Sequence, residues 1–251
     1  MPGLTVYEMG GIMSNTNPYD ICTWKDEAQC SDCALRCELG CRLDMGEFHF
    51  FTVSQIPNLA LSVFGLVLVG LVMGAWWPLI AFGAACLVLW GLGLEARVLC
   101  SHCPFWAEES KTLHCLALTG SPKIWRYRPG PLAAWEKATF AAFLSFLLVF
   151  PLLAEGYALW TMTSQDGVFG TLALLGMVGI TLATILTGAQ FFYILKTRFC
   201  ARCVNFSCPL NQVPRNRVDA YLVHNPVMRA AWEQSGYRLE LSSERSSKAA
   251  R

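Results

Sequence analysis

The chain has 251 residues, 54% of them hydrophobic and 15% charged, and its formal net charge is +1. A mean hydropathy of +0.40 with so few charges excludes an ordinary water-soluble domain and the basic face of a nucleic-acid-binding protein. Twelve cysteines exceed what packing needs, and their chemistry depends on which side of a membrane they face.

Residues 1–50 are polar and acidic. MPGLTVYEMGG lacks a basic n-region and an apolar h-region, so the segment is expected to be retained. It carries Cys22, Cys30, Cys33, Cys37 and Cys41. The last four follow helical spacing, so Asp26–Arg42 reads as a possible helix with Gly40 late in it. One unbroken helix would set Cys30 and Cys41 about 16 Å apart along its axis. Two thiolates on one zinc stand at most roughly 4.6 Å apart, twice the Zn–S bond. Either the segment is not one helix, or its neighbouring pairs serve different sites.

Four apolar runs follow, at about 56–75, 79–94 (extending to Arg97), 138–160 and 168–195. Each can cross a hydrocarbon core of about 30 Å, and too few polar residues remain to clothe four such helices in water. The fold class is therefore an all-α membrane protein, four transmembrane helices with cysteine-rich cytoplasmic segments. Its parts are residues 1–50, a hairpin over 51–97, a loop over 98–137, a second hairpin over 138–197 and a tail over 198–251. The turn at Gly74–Pro78 has no lysine or arginine, and the second turn, near Thr161–Gly167, has only Asp166. The positive-inside rule then places both termini and the central loop in the cytoplasm of an inner-membrane, multi-pass protein, with Trp76, Trp77 and Trp160 at the opposite interface. Gly176, Gly179, Ala183 and Thr187, together with Gly70-x-x-x-Gly74, predict close helix seams. Asn225-Pro226 predicts the start of a short soluble helix and Gly236 its stop, within a helical pair over Val213–Gly236. LSSERSSKAAR predicts disorder.

The second run ends in CSHCP (Cys100–Pro104) and the fourth leads into CARCVNFSCP, with Cys200, Cys203 and Cys208-Pro209. With Cys115, eleven of the twelve cysteines fall on the cytoplasmic side, where thiols stay reduced and disulfides are not expected. Cys86 alone is mid-span and reads as packing. Thiolates suit iron–sulfur clusters, whose ligating cysteines are often followed by proline, and they also suit zinc. Cys100/Cys103/Cys115 and Cys200/Cys203/Cys208 are each one donor short of four. The expected donors are the N-terminal cysteines, His102 or His114. His49, in FHFF, reads as an interface anchor, and no histidine is placed to bind a transmembrane haem. PKIWRYRPGP (Pro122–Pro131) reads first as a lipid-facing anchor through Lys123, Trp125, Arg126, Tyr127 and Arg128, and second as a quinone-headgroup or partner site. Glu95 and Gln190 are polar positions that could line such a site.

CSHCP and CVNFSCP, at the ends of the second and fourth helices, resemble the membrane ferredoxin-type proteins that oxidise quinol for periplasmic nitrate reduction. The likeness covers the layout of Ile56–Pro209 and those short motifs. The paired ferredoxin motifs after the last helix are absent. The resemblance implies iron–sulfur clusters and electron exchange with a cytoplasmic or membrane redox subunit and with quinone. The alternative from the residues themselves is a zinc-stabilised membrane anchor or assembly factor, and a third is a thiol oxidoreductase or metal-delivery protein. No Walker loop, dinucleotide fingerprint or hydrolase elbow is present.

Overall fold

Helix α1, Met45–Met73, starts where the Asp44 carboxylate accepts the Glu47 N–H at 3.0 Å, with Glu47 in the first turn. These facts come from a computed structural model that describes residues 17–25, 30, 33–36, 38–164 and 170–240. The 29 residues of α1 extend about 43 Å, longer than a bilayer core is thick. The helix ends at Gly74, whose φ of +65° is the left-handed conformation that glycine adopts without strain. A Cβ at Gly70 would lie 2.7 Å from the Trp76 ring. The pair Gly70/Gly74 therefore makes a tight turn rather than a seam between helices.

The second apolar run is broken. Helix α2, Trp77–Cys86, continues as a π turn over Leu87–Gly91 and stops at Gly93, with φ +66°; α3, Leu94–Val98, restarts at a bend of 50°. Helices α4, Ala134–Ser164, and α5, Thr171–Ile194 with a π turn to Phe199, form the second hairpin. By length and composition three helices can cross a membrane, or four if the bent pair is one span. Among the described residues the fold is all-helical, with one isolated β-bridge between Thr112 and Pro122.

Helix α1 packs against α2, α4 and α5. Val69, Ala158, Met162 and Met177 meet in its core, while Leu153, Leu172 and Leu186 stay exposed on the outside, as helices bathed in lipid should. The expected seam on α5 lies elsewhere. Gly176 and Gly179 are exposed with open space around them. The packed face is Met177, Thr184 and Gly188, the last against Asn58. Small-residue spacing cannot tell the two faces of an apolar helix apart, because lipid and protein are equally apolar.

Both hairpins bring their chain ends to one side. Arg198, just past α5, pairs with Glu47 of α1 at 2.9 Å. Buried Glu136, in the first turn of α4, takes Arg128 at 2.6 Å and Arg97 at 3.5 Å. Its other oxygen accepts the Ala133 N–H and lies 3.2 Å from His102 Nε2. That His102 contact is close but not aligned as a hydrogen bond, since the nitrogen has no bonded partner. The ring is instead held by Nδ1, which donates to the Gly130 carbonyl at 2.6 Å.

On that side the polar segments build a cap with its own apolar core, including Ile21, Leu39, Trp106, Tyr221, Leu222 and Met228. Helices α6, Arg215–Val223, and α7, Pro226–Gln234, form the expected pair, with Gly236 at φ +90°. The PKIWRYRPGP stretch belongs largely to the cap rather than to lipid. Lys123 turns inward to the Glu108 carbonyl at 2.7 Å, and Tyr127 is buried edge-on against Tyr19. Arg128 reaches the Arg97 carbonyl at 2.7 Å, and Trp125 Nε1 reaches the Gly93 carbonyl at 3.1 Å. The Gly93 carbonyl, which also accepts the Arg97 N–H at 2.9 Å, and the Arg97 carbonyl, which also accepts Ser101 Oγ at 2.8 Å, thus gain second donors from this segment at the broken span.

Candidate thiol centres

Cysteine-proline steps shape the deeper group. Cys103 takes an extended conformation (φ −81°, ψ 137°), as the residue before proline prefers, and Pro104 opens a short 3₁₀ turn to Trp106. The Pro104 carbonyl accepts Trp24 Nε1 at 3.0 Å, which ties the N-terminal segment to this corner. Asn205 Nδ2 donates to the Leu99 carbonyl at 3.0 Å and joins the two cysteine loops.

Cys100, Cys103, Cys115, Cys200, Cys203 and Cys208 line one apolar cavity of about 310 Å³. They influence one another electrostatically: Cys203, Cys115 and Cys208 act on Cys103, and Cys208 and Cys115 act on Cys203. The two triads thus face each other. Burial pushes Cys200 and Cys203 up to about 12 and Cys208 to about 11, each with help from a neighbouring thiol. Opposing this, nearby backbone amides favour the ionised form at four sulfurs. Phe105 N–H serves Cys103, Asn205 N–H serves Cys203, and Leu210 and Asn211 serve Cys208. Cys115 receives Ala117 and Leu118, the latter at 3.1 Å. In each case the donor lies two or three residues after the cysteine. Such N–H groups favour a thiolate and need no charge of their own.

The N-terminal thiols gather separately. Among the described residues 33–44 there is no α-helix, only turns and bends, so the one-helix reading does not hold. Gly40 explains the departure. Its N–H donates to the Arg202 carbonyl at 2.7 Å, and a Cβ there would lie 2.9 Å from Leu116 and 3.4 Å from that carbonyl. Cys22, Cys30, Cys33 and Cys41 line a second, more polar cavity of about 600 Å³. Burial, then Cys22, Cys33 and Cys30, push Cys41 up to about 12. Burial raises Cys22 as well, against donors from Asn225 and Tyr221. Arg42 Nη2 lies 3.2 Å from Cys30 Sγ. Cys37 lies outside the described residues.

The histidines and described N-terminal cysteines expected to complete the triads are not among the lining of the deep cavity. His102 Nδ1 is held by the Gly130 carbonyl while its Nε2 lies beside Glu136 without a hydrogen bond, and His114 Nδ1 pairs with Glu108 at 2.9 Å. Each triad instead meets the other, because the cap folds the two cysteine loops together. Glu95 does line the deep cavity, bonded to Trp90 Nε1 at 2.9 Å, whereas Gln190 is exposed and does not. Sequence reasoning missed three polar lining residues of α1, Gln55, Asn58 and Ser62, which share one helix face. It also missed Asn225. That fully buried amide does not cap α7; its oxygen accepts the Cys22 N–H at 2.7 Å, and its nitrogen reaches Cys22 Sγ at 3.2 Å and the Tyr221 carbonyl at 2.7 Å.

Among the described residues, no set of three or more His, Cys, Asp or Glu has the spacing of a single-ion site. Comparison with protein-family models, with characterised proteins and with solved structures finds no match. Fold and site together define a class only: a polytopic helical membrane protein whose cysteines collect in a cap at one end of the bundle.

Proposed function

We propose that this protein is a membrane electron-transfer subunit whose cap holds two iron–sulfur centres. The observation that carries this reading is the gathering of six thiols from two distant chain segments around one cavity, with the Leu118 N–H donating to Cys115 Sγ at 3.1 Å. Thiols collected in this way suit thiolate ligands, whose stability and potential are tuned by neighbouring hydrogen-bond donors. Cys103, Cys115, Cys203 and Cys208, which influence one another electrostatically, would ligate the deep centre, with Cys100 and Cys200 flanking them. Cys22, Cys30, Cys33 and Cys41 would hold the second centre, with Arg42 and Asn225 donating to its sulfurs. The cluster, when bound, supplies one-electron redox chemistry, and the chain supplies ligands, hydrogen bonds and exclusion of water.

The two cavities suit the two ends of such a path. The N-terminal one is rimmed by Lys25, Arg36, Arg42, Arg198 and Arg202, set against Asp44 and Glu47, and would receive an acidic cytoplasmic redox protein. The deep one runs from the six thiols down between the helices past Gln55, Asn58 and Glu95. It is apolar with a few polar groups, as a quinone site needs. Gly40, Leu116 and Phe199 line both cavities and form the wall between them. The charge distribution in the sequence supports an orientation with the cap in the cytoplasm.

Anaerobic purification with iron, zinc and acid-labile sulfide analysis tests the reading. Iron and sulfide, with a redox-active spectrum, are expected; stoichiometric zinc without sulfide would replace this reading with the anchor one. Serine at Cys103, Cys115, Cys203 or Cys208 should remove the deep centre's signal, and serine at Cys100 or Cys200 should retain it.

A further inference from the structure

Glu155 is a carboxyl in the middle of a helix that has every other sign of spanning a membrane. It is fully buried, and Ser164, the last residue of α4, is nine positions on, or about 13 Å. The site thus lies in the half of the bundle away from the cysteines. Glycine at position 65 makes room for it: a Cβ there would collide with Glu155 Oε1. Thr184 Oγ1 of α5 stands 3.4 Å from the same oxygen, and Thr181 also faces the carboxyl. Oε2 has no partner.

The surroundings are rich in oxygen and poor in hydrogen. Thr181 donates to the Met177 carbonyl and Thr184 to the Ile180 carbonyl, both at 2.9 Å. Each hydroxyl has a single proton, so the shorter bonds commit both, and lone pairs are left towards Glu155. One of the two N–H groups of the Asn58 amide is taken by the Thr184 carbonyl at 3.3 Å. Among the described residues, no cation faces the site. The other titratable side chains of α1, α2, α4 and α5 are Glu47, His49, Cys86, Glu136, Lys137, Tyr157 and Tyr193. Glu47, His49, Glu136 and Lys137 sit at the cysteine end, Tyr157 and Tyr193 are exposed, and Cys86 is on α2, away from these contacts. An ionised carboxylate without a partner at this depth would be costly. What the pocket lacks is a positive charge or a hydrogen to share.

We propose that Glu155, with the hydroxyls of Thr181 and Thr184, is an exchangeable site for one small monovalent cation, a proton or a sodium ion. Gly65 shapes the site. This does not depend on what the cysteines bind. A carboxyl kept permanently neutral as a structural hydrogen-bonding group would have the same fold but would not exchange.

The test uses the full-length protein in lipid vesicles, with dicyclohexylcarbodiimide, which reacts with protonated carboxyls in apolar surroundings, and mass spectrometry to locate the adduct. Labelling at Glu155 should fall about tenfold per pH unit above its midpoint. It should be absent in Glu155→Gln and altered in midpoint by Gly65→Ala or Thr184→Val. If sodium is the cargo, added NaCl should protect while choline chloride does not; if the proton is, neither salt should matter. Labelling that ignores both pH and sodium between about pH 5 and about pH 9, or no labelling at any pH, overturns the proposal. The wild-type profile alone decides it if a variant fails to fold.

Discussion

Asn225 and Gly40 show how much of a thiol site is made by residues that bind nothing themselves. Asn225 satisfies one backbone donor, one backbone acceptor and one sulfur from a fully buried position. Asn225→Ala leaves the Cys22 N–H and the Tyr221 carbonyl without this partner, which costs about 1–3 kcal/mol of stability. A lower Tm should be accompanied by a shifted potential of the N-terminal centre alone, read by redox titration. The thiols themselves predict a pH dependence of the metal-free protein. Cys41, Cys200 and Cys203 are raised from an ordinary value of 9.0 to about 12 when folded. Between those values the unfolded chain has lost these protons and the folded chain keeps them, so stability falls as pH rises. The metal-stripped protein should therefore keep its Tm below about pH 9 and lose it progressively up to about pH 12. A Tm that rose over that window would contradict the burial of these sulfurs.

Among the elements, the broken second span matters most to the site. Gly93 turns the chain by its positive φ, and its Cβ would press on Ile124 at 3.0 Å. The restart at Leu94 brings Glu95 to the cavity and Cys100 to the mouth of the bundle. Gly93→Val should lower Tm and the occupancy of the deep centre together, because a β-branched residue is strained at φ above zero. Glu136 clamps the same region from α4 by holding Arg97 and Arg128. Glu136→Ala leaves two cations without their carboxylate, a loss on the order of 3 kcal/mol, so its Tm should fall further than that of a surface Glu233→Ala. Equal, small effects would show that the clamp contributes little.

At the scale of the molecule, the cap forms two separate groups of thiols on one frame. Replacing Cys22, Cys30, Cys33 and Cys41 with serine should remove one centre's share of iron and sulfide and leave the deep centre's spectrum intact. If both centres are lost with the fold preserved by circular dichroism, the groups share ligands after all. Orientation is checked by a membrane-impermeant maleimide after metal removal, which should reach Cys30 from the cytoplasmic side only. Access solely from the outside would reverse the arrangement and place the thiols in an oxidising compartment.

The sequence by itself determined three unbroken apolar helices and the end at which the cysteines gather, though not the break in the second run or the turns of the N-terminal segment. Apolar runs about a bilayer thick admit one structure, since only a helix satisfies its own backbone hydrogen bonds in lipid. Asn225-Pro226 and Gly74 likewise marked real boundaries. The partners of the thiols could not be read there. Which sulfur meets which depends on Gly40 fitting against Leu116 and on Asn205 reaching Leu99, contacts between segments far apart in the chain. Helix faces were illegible for a related reason. In an all-apolar helix nothing in hydropathy separates the side that touches lipid from the side that touches protein, so Gly176 looked like a seam and Gly65, which shelters Glu155, gave no signal. Only the tertiary structure decides such pairings, because they rest on shape at contact distance, which residue spacing does not encode.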